Sequence, residues 1–163
     1  MLRNLEPQDF DPLSSILRRT GAFTEPEVEC ALELLDTVLN RPEQRDYLVT
    51  VAVEDKTVAG YILYGPIPLT EGSYDIYWIA VDPDLQGRHI GRQLLHCSEA
   101  DILARGGGLI CIETSSQSGY SGTRQFYLNN GYQEESRIRD FYRPGDDRIT
   151  YVKRLPIPEE VTR

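Results

Sequence analysis

The sequence predicts an α+β domain: a mostly antiparallel mixed sheet flanked by helices, with one central parallel β-α-β crossover. Three observations carry this. Two stretches near the N-terminus repeat apolar residues with the period of a helix. Three runs rich in Val, Ile and Tyr then follow one another across short turns. After them comes a strand, a glycine-bent loop, a helix and another strand, the order of a crossover unit.

Each element has its own local reason. "MLRNLEP" reads as a short strand that Pro7 ends. "PQDFDPLSSILRRTG" sets Phe10, Leu13, Ile16 and Leu17 on one helical stripe and stops near Gly21. "TEPEVECALELLDTVLN" offers Thr24 as N-cap, Pro26 in the first turn and early acids, with Val28, Ala31, Leu32, Leu35 and Leu39 on one face. The period then changes. Tyr47–Asp55, Val58–Pro66 and Ser73–Pro83, separated by "EDKT" and "PIPLTEG", read as an antiparallel meander. A helix follows to about Arg105, where three glycines stop it, and "LICIETSS" (Leu109–Ser116) is the next strand. "SGTRQFYLNNGY" is a short helix closing at Asn130-Gly131. "QEESRIRDFY" and "RITYVKRL" pair around "RPGDD", where Pro144-Gly145 suits a type II turn. "PIPEEVTR" reads as a loose tail, so the domain is expected over residues 1–155 and the tail over 156–163.

The bulk numbers exclude several classes. A chain of 163 residues with 40% hydrophobic and 26% charged content has the composition of an ordinary globular domain. No apolar run approaches the roughly 20 residues of a membrane helix, and the acidic opening does not read as a targeting peptide, so no membrane partner is expected and the cytoplasm is the expected location. Cys30, Cys97 and Cys111 form no CxxC pair and there is no HExxH, so no metal site is expected. With 17 basic against 26 acidic residues, nucleic acid is not an expected partner. The net charge of −9 suits a cationic substrate.

Against that acidity, "VDPDLQGRHIGRQLL" (Val81–Leu95) stands out. Gly87 and Gly91 bend the entry to a helix, and Arg88, His89 and Arg92 crowd its start, where the macrodipole disfavours cations. Helix-start amides that lack intrahelical partners form an anion site, and a docked pyrophosphate would turn the three cations into counter-charges. A solvated helix start is the plain alternative. The stretch fits neither GxxxxGK[ST] nor GxGxxG, so nucleotide hydrolysis and dinucleotide binding both lack their fingerprints.

This stretch resembles the acetyl-CoA-binding motif of the GNAT superfamily of N-acetyltransferases, Q/R-x-x-G-x-G/A. Gln86 and Gly91 match its ends, and His89 stands at its middle glycine. "DIYWIAVDP" is similar to the family's fourth strand, "FYLNNGY" to its Phe-Tyr-x-x-x-Gly-Phe/Tyr segment, and "DFYRPGDDRITYVKRL" to its closing hairpin. The resemblance spans roughly Tyr47 to Leu155 and implies the GNAT-like acyl-CoA N-acyltransferase fold. It implies that main-chain groups of Ile79, Ala80 and Val81 pair with the pantetheine arm of acetyl-CoA. Gln86, Gly87, Arg88, His89, Ile90, Gly91 and Arg92 would wrap the pyrophosphate.

The implied reaction is acetyl transfer to an amine, which needs a base for the ammonium proton and an acid for the leaving thiolate. Tyr127 matches the position of the family's usual general acid; a core aromatic is the alternative. Glu113, late on its strand, is the candidate base, expected to sit among Ile110, Ile112 and other apolar groups that would raise its pKa. Asp75 and Tyr77 are rivals. His96 is expected at the surface, and no GxSxG elbow supports a hydrolytic triad. The acids Asp146 and Asp147 are read as part of a turn, or as an attractor for a cationic substrate. The expected partners are acetyl-CoA and a small-molecule or peptide amine, with a homodimer as an option. A coenzyme A-binding module without turnover, or a partner-binding scaffold, is the competing class.

Overall fold

Turn chemistry and apolar spacing divide the chain into β1 (Leu2–Asn4), α1 (Phe10–Arg19), α2 (Glu25–Asn40), β2 (Leu48–Glu54), β3 (Thr57–Pro66) and β4 (Ser73–Val81). There follow α3 (Ile90–Ala104), β5 (Leu109–Ser115), α4 (Ser121–Asn129), β6 (Gln133–Arg143) and β7 (Asp146–Arg154). These elements come from a computed structural model that describes residues 1–156; the remainder of the expected tail lies outside the described residues. The element order is the one expected, with short 3-10 turns added at Pro7–Asp9, Pro83–Leu85 and Ser118–Tyr120.

The seven strands are ordered β1-β2-β3-β4-β5-β7-β6. Pairing is antiparallel at β1/β2, β2/β3, β5/β7 and β6/β7. It is parallel where Ser73, Tyr74 and Asp75 meet Leu109, Ile110 and Cys111. The expected α+β class with its parallel crossover is therefore the observed one. The chain forms two compact units: Met1–Gly65 with Ile76–Ser98, and Pro66–Asp75 with the described residues from Glu99 onward.

In the first unit, the apolar stripes of α1 and α2 close over the strands. Leu13, Ile16, Leu17, Val28, Ala31 and Leu35 share one core with Val49, Val51, Tyr61, Leu63 and Ala80. Helix α2 starts on a reciprocal cap: Glu27 N donates to Thr24 Oγ1, and Thr24 N donates to Glu27 Oε2. Asp9 is buried beneath Arg3, which donates to both its oxygens at 2.6 and 2.8 Å. Gly60 on β3 is required by close approach, since a Cβ there would lie 2.4 Å from Ala80 O.

In the second unit, two helix ends are built alike. At the end of α4, Gly131 takes φ 87°, its N–H donates to Leu128 O, and Tyr132 N donates to Tyr127 O. That is a Schellman cap, and its usual apolar contact is Tyr127 against Tyr132, with ring centroids 5.8 Å apart. At the end of α3, Gly106 (φ 84°) and Gly107 donate in the same pattern to Leu103 O and Ile102 O. The β6–β7 hairpin turns at Gly145, whose φ of 80° fits the expected type II turn.

Candidate active site

The loop after β4, in the first unit, has the geometry of an anion cradle. Gly87 and His89 both take left-handed backbone, φ 81° and 62°. The first helical bond of α3 runs from Gln93 N to His89 O, so the amides of Ile90, Gly91 and Arg92 precede the ladder. Gln86, Arg88, His89 and Arg92 are exposed, whereas the Ile90 side chain is buried and anchors the helix start. Arg88 is held only loosely, 3.6 Å from Glu54 Oε1. Below the loop, Arg19 of α1 clamps the end of β4 by contacts of 2.7 Å to Asp82 and 3.2 Å to Asp84. That hydrogen bond holds the Asp82 carboxyl below its ordinary range. These residues fit a pyrophosphate: amides without helical partners, two exposed guanidiniums, and left-handed backbone at Gly87 and His89.

In the second unit, the β5 strand separates two faces. Ile110, Ile112 and Thr114 are buried, while Cys111 and Glu113 lie on the opposite face. Asp75, the register partner of Cys111, is half-buried there. Burial first, and then the neighbouring Glu113 charge, raise the Asp75 carboxyl to about 6. Glu113 keeps 51% of its side chain exposed and stands 3.7 Å from Arg148 of β7. Cys111 is a free thiol pushed up by burial and by these carboxylates.

Tyr127, also in the second unit, is 4% exposed and sits among Phe126, Tyr132 and Tyr151, at centroid distances of 5.5, 5.8 and 6.4 Å. Burial raises its phenol, so it holds its proton throughout the neutral range. Its ring is thus a core element, whatever its hydroxyl does. Tyr132 beside it donates to Glu99 at 3.0 Å, and Lys153 closes the network on both Glu99 oxygens.

The family model for an acetyltransferase (GNAT) domain matches residues 45–134. A solved GNAT-family structure from Desulfovibrio desulfuricans is 40% identical, with TM-score 0.90 over 96% of this chain and 99% of that one. The chain belongs to the GNAT acetyltransferase family. Two more distant structures share the GNAT fold. The ribosomal-protein-S18-alanine N-acetyltransferase of Escherichia coli is 19% identical, with TM-score 0.78 over 100% and 98% of the two chains. The PaiA N-acetyltransferase of Thermoplasma acidophilum, solved in complex with coenzyme A, is 21% identical, with TM-score 0.74 over 95% and 98%. No curated protein matches the chain.

Within this GNAT chain, the loop explains its own departure from the motif. The middle position needs positive φ, which glycine takes freely; histidine is among the side chains that tolerate it best. Two expectations need correction. Glu113 does not sit among Ile110 and Ile112, because alternation along β5 turns it to the other face, and the desolvated carboxylate is Asp75. Asp146 is not a surface attractor: it is 2% exposed and accepts from Ser115 Oγ at 2.5 Å. Asp147 likewise accepts from Asp140 N and Arg137. His96 is exposed, as expected. The residue that sequence reasoning missed is Arg148, which no motif marks and which only the β5/β7 register brings to Glu113. Among the described residues no cluster of His, Cys, Asp and Glu suits a metal ion, and no helix is long and apolar enough to cross a membrane.

Proposed function

We propose that this protein transfers an acetyl group from acetyl-CoA to an amine, and that it does so in the cytoplasm. The observation that carries the reading is the cradle at Gln86–Arg92: positive φ at Gly87 and His89, three helix-start amides and two exposed guanidiniums on a chain of net charge −9. Gln86, Gly87, Arg88, His89, Ile90, Gly91 and Arg92 hold the pyrophosphate, with Ile90 contributing its main chain alone. The backbone of Ile79, Ala80 and Val81 holds the pantetheine arm. Acetyl-CoA supplies an activated acyl thioester when bound.

The rest is proton chemistry on this chain's own groups. The amine's proton goes to the Asp75–Glu113 pair as the new N–C bond forms and the C–S bond breaks. Within that pair Asp75, with its carboxyl near 6, is matched to accept at neutral pH, and Glu113 is the more exposed partner that keeps its affinity for protons high. Tyr127 gives its phenolic proton to the departing sulfur and regains it from solvent. The three free cysteines are compatible with a reducing compartment.

The test is release of free thiol from acetyl-CoA in the presence of a mixed panel of amines, for wild type and Tyr127→Phe. Turnover by the wild type and a kcat about ten-fold or more lower in the Phe variant, at equal coenzyme A affinity, are expected. Coenzyme A binding with no thiol release from any amine favours a binding module instead. Undiminished turnover in Tyr127→Phe removes the tyrosine from the mechanism, leaving it the packing role its ring already has.

A further inference from the structure

The exposed face of β5 and β7 carries two opposite charges that form no hydrogen bond with one another. Glu113 faces Thr150 and Ser115 faces Arg148, so Glu113 and Arg148 are diagonal neighbours on one face. Their closest approach is 3.7 Å, longer than a hydrogen bond. The guanidinium of Arg148 lies over the ring of Phe141, Cζ 4.6 Å from its centroid. That stacking fixes the plane of the fork without using its donors. Its Nε is buried and has no hydrogen-bond partner. Nε is covered, but a quarter of the Arg148 side chain is exposed, which leaves guanidinium donors open to a planar anion.

The chain builds this feature deliberately at β6. Ile138 pairs with Arg148 and Arg143 pairs with Asp146, so the four residues Arg139–Tyr142 stand opposite Asp147 alone. The excess bulges outward, with Asp140 at φ 54° and its backbone N–H tied to Asp147 Oδ1 at 3.0 Å. Phe141 and Tyr142 project from it, half-exposed and edge to face with centroids 5.0 Å apart. A simple anion at Arg148 would meet repulsion from Glu113, and a simple cation at Glu113 would meet Arg148. A ligand that suits both carries both signs a short distance apart.

We propose that the acceptor is a free amino carboxylate, its carboxylate taken by Arg148 and its amino group set against Glu113 and Asp75. The inference rests on the acetyl-transfer reading above and narrows it, since peptide N-termini, lysine side chains and polyamines lack the adjacent carboxylate. One carbon separates the two groups of an α-amino acid, so side chains 3.7 Å apart can hold both. A zwitterion has no net charge, so the protein's −9 does not exclude it, as it would a plain carboxylate. Phe141 and Tyr142 offer aromatic surface to an apolar side chain of the acceptor.

The experiment is titration calorimetry of the whole protein with coenzyme A present, using the common L-amino acids and the amide of each. At least one amino acid is expected to bind about 10- to 100-fold more tightly than its amide. Arg148→Gln should remove that difference, and Arg148→Lys should restore part of it. The melting temperature of each variant checks that it is folded. Equal or tighter binding of the amides, no binding of any amino acid, or discrimination intact in Arg148→Gln overturns the proposal. Thiol release on the same panel plus spermidine separates the two levels. Preferential acetylation of amides or spermidine overturns this inference while upholding acetyl transfer. Absence of thiol release with every amine overturns acetyl transfer, and the calorimetric difference then still decides whether the amino-carboxylate site exists.

Discussion

Asp75 shows how a single residue links reactivity to stability. Burial and the Glu113 charge raise its carboxyl from 3.8 to about 6, so the folded chain binds that proton more tightly than the unfolded chain does. Between these two values the unfolded state is the first to release its proton, and stability falls as pH rises. Above about 6 the ionised, half-buried carboxylate is a standing cost. Asp75→Asn is therefore expected to raise the melting temperature at pH 7.5 and to leave it nearly unchanged at pH 4. The same substitution should depress kcat/KM and abolish the acid limb near pH 6 in its pH profile. Melting curves at the two pH values check the first half; an equal gain at both would mean that the carboxylate is not destabilised in the folded state. His89 makes the complementary point. Its left-handed backbone is strained for a side chain, yet the strain lies where an anion's ligands are needed.

At the scale of elements, two helices end on the same cap for different reasons. After α4, Gly131 is needed for its φ of 87° alone, because a Cβ there would meet only the end of Lys153, Cε at 3.6 Å and Nζ at 3.7 Å. After α3, Gly107 has no room for a side chain: a Cβ would lie 2.5 Å from Ile102 Cγ2 and 2.8 Å from the Tyr74 ring. Gly131→Ala is expected to cost about 1 kcal/mol, from backbone strain. Gly107→Ala should cost about 1–3 kcal/mol, from overpacking. Denaturant unfolding of both variants measures this, and a Gly107 variant as stable as wild type would show that Tyr74 can move aside. The Phe-Tyr-x-x-x-Gly-Tyr segment thus has a physical meaning. Its first tyrosine is the C3 residue, its glycine the left-handed C′, and its last tyrosine the apolar C″ that packs back on C3.

For the whole molecule, the contrast is between a net charge of −9 and one local positive well. Long-range repulsion and short-range attraction respond oppositely to salt, since ions screen beyond a Debye length of about 10 Å at 0.1 M. Coenzyme A should bind wild type less tightly as salt rises. In Arg88→Ala/Arg92→Ala binding should be weaker at low salt and lose less with added salt, because two cations are gone while the helix-start amides remain, and a truncated pantetheine thioester should bind both alike. Equal salt slopes for the two proteins would remove the guanidiniums from the cradle. Much of this was legible in the sequence, because it depends on local chemistry. Apolar period, caps and glycines set the element order, and the anion site proposed at Gly87–Arg92 rests on residues adjacent in the chain. The charged face beside β5 was legible only as separate candidate residues. Glu113 stands on the strand between Asp75 and Arg148, and only register decides that it neighbours each of them. The side of β5 that Glu113 occupies, the burial of Asp146 and the four-residue bulge that carries Phe141 follow from pairing across long sequence separations. The sequence by itself determined which elements form and where cations gather at a helix start, whereas the tertiary structure decided which charges share a face, because desolvation and pairing depend on neighbours that the chain order does not name.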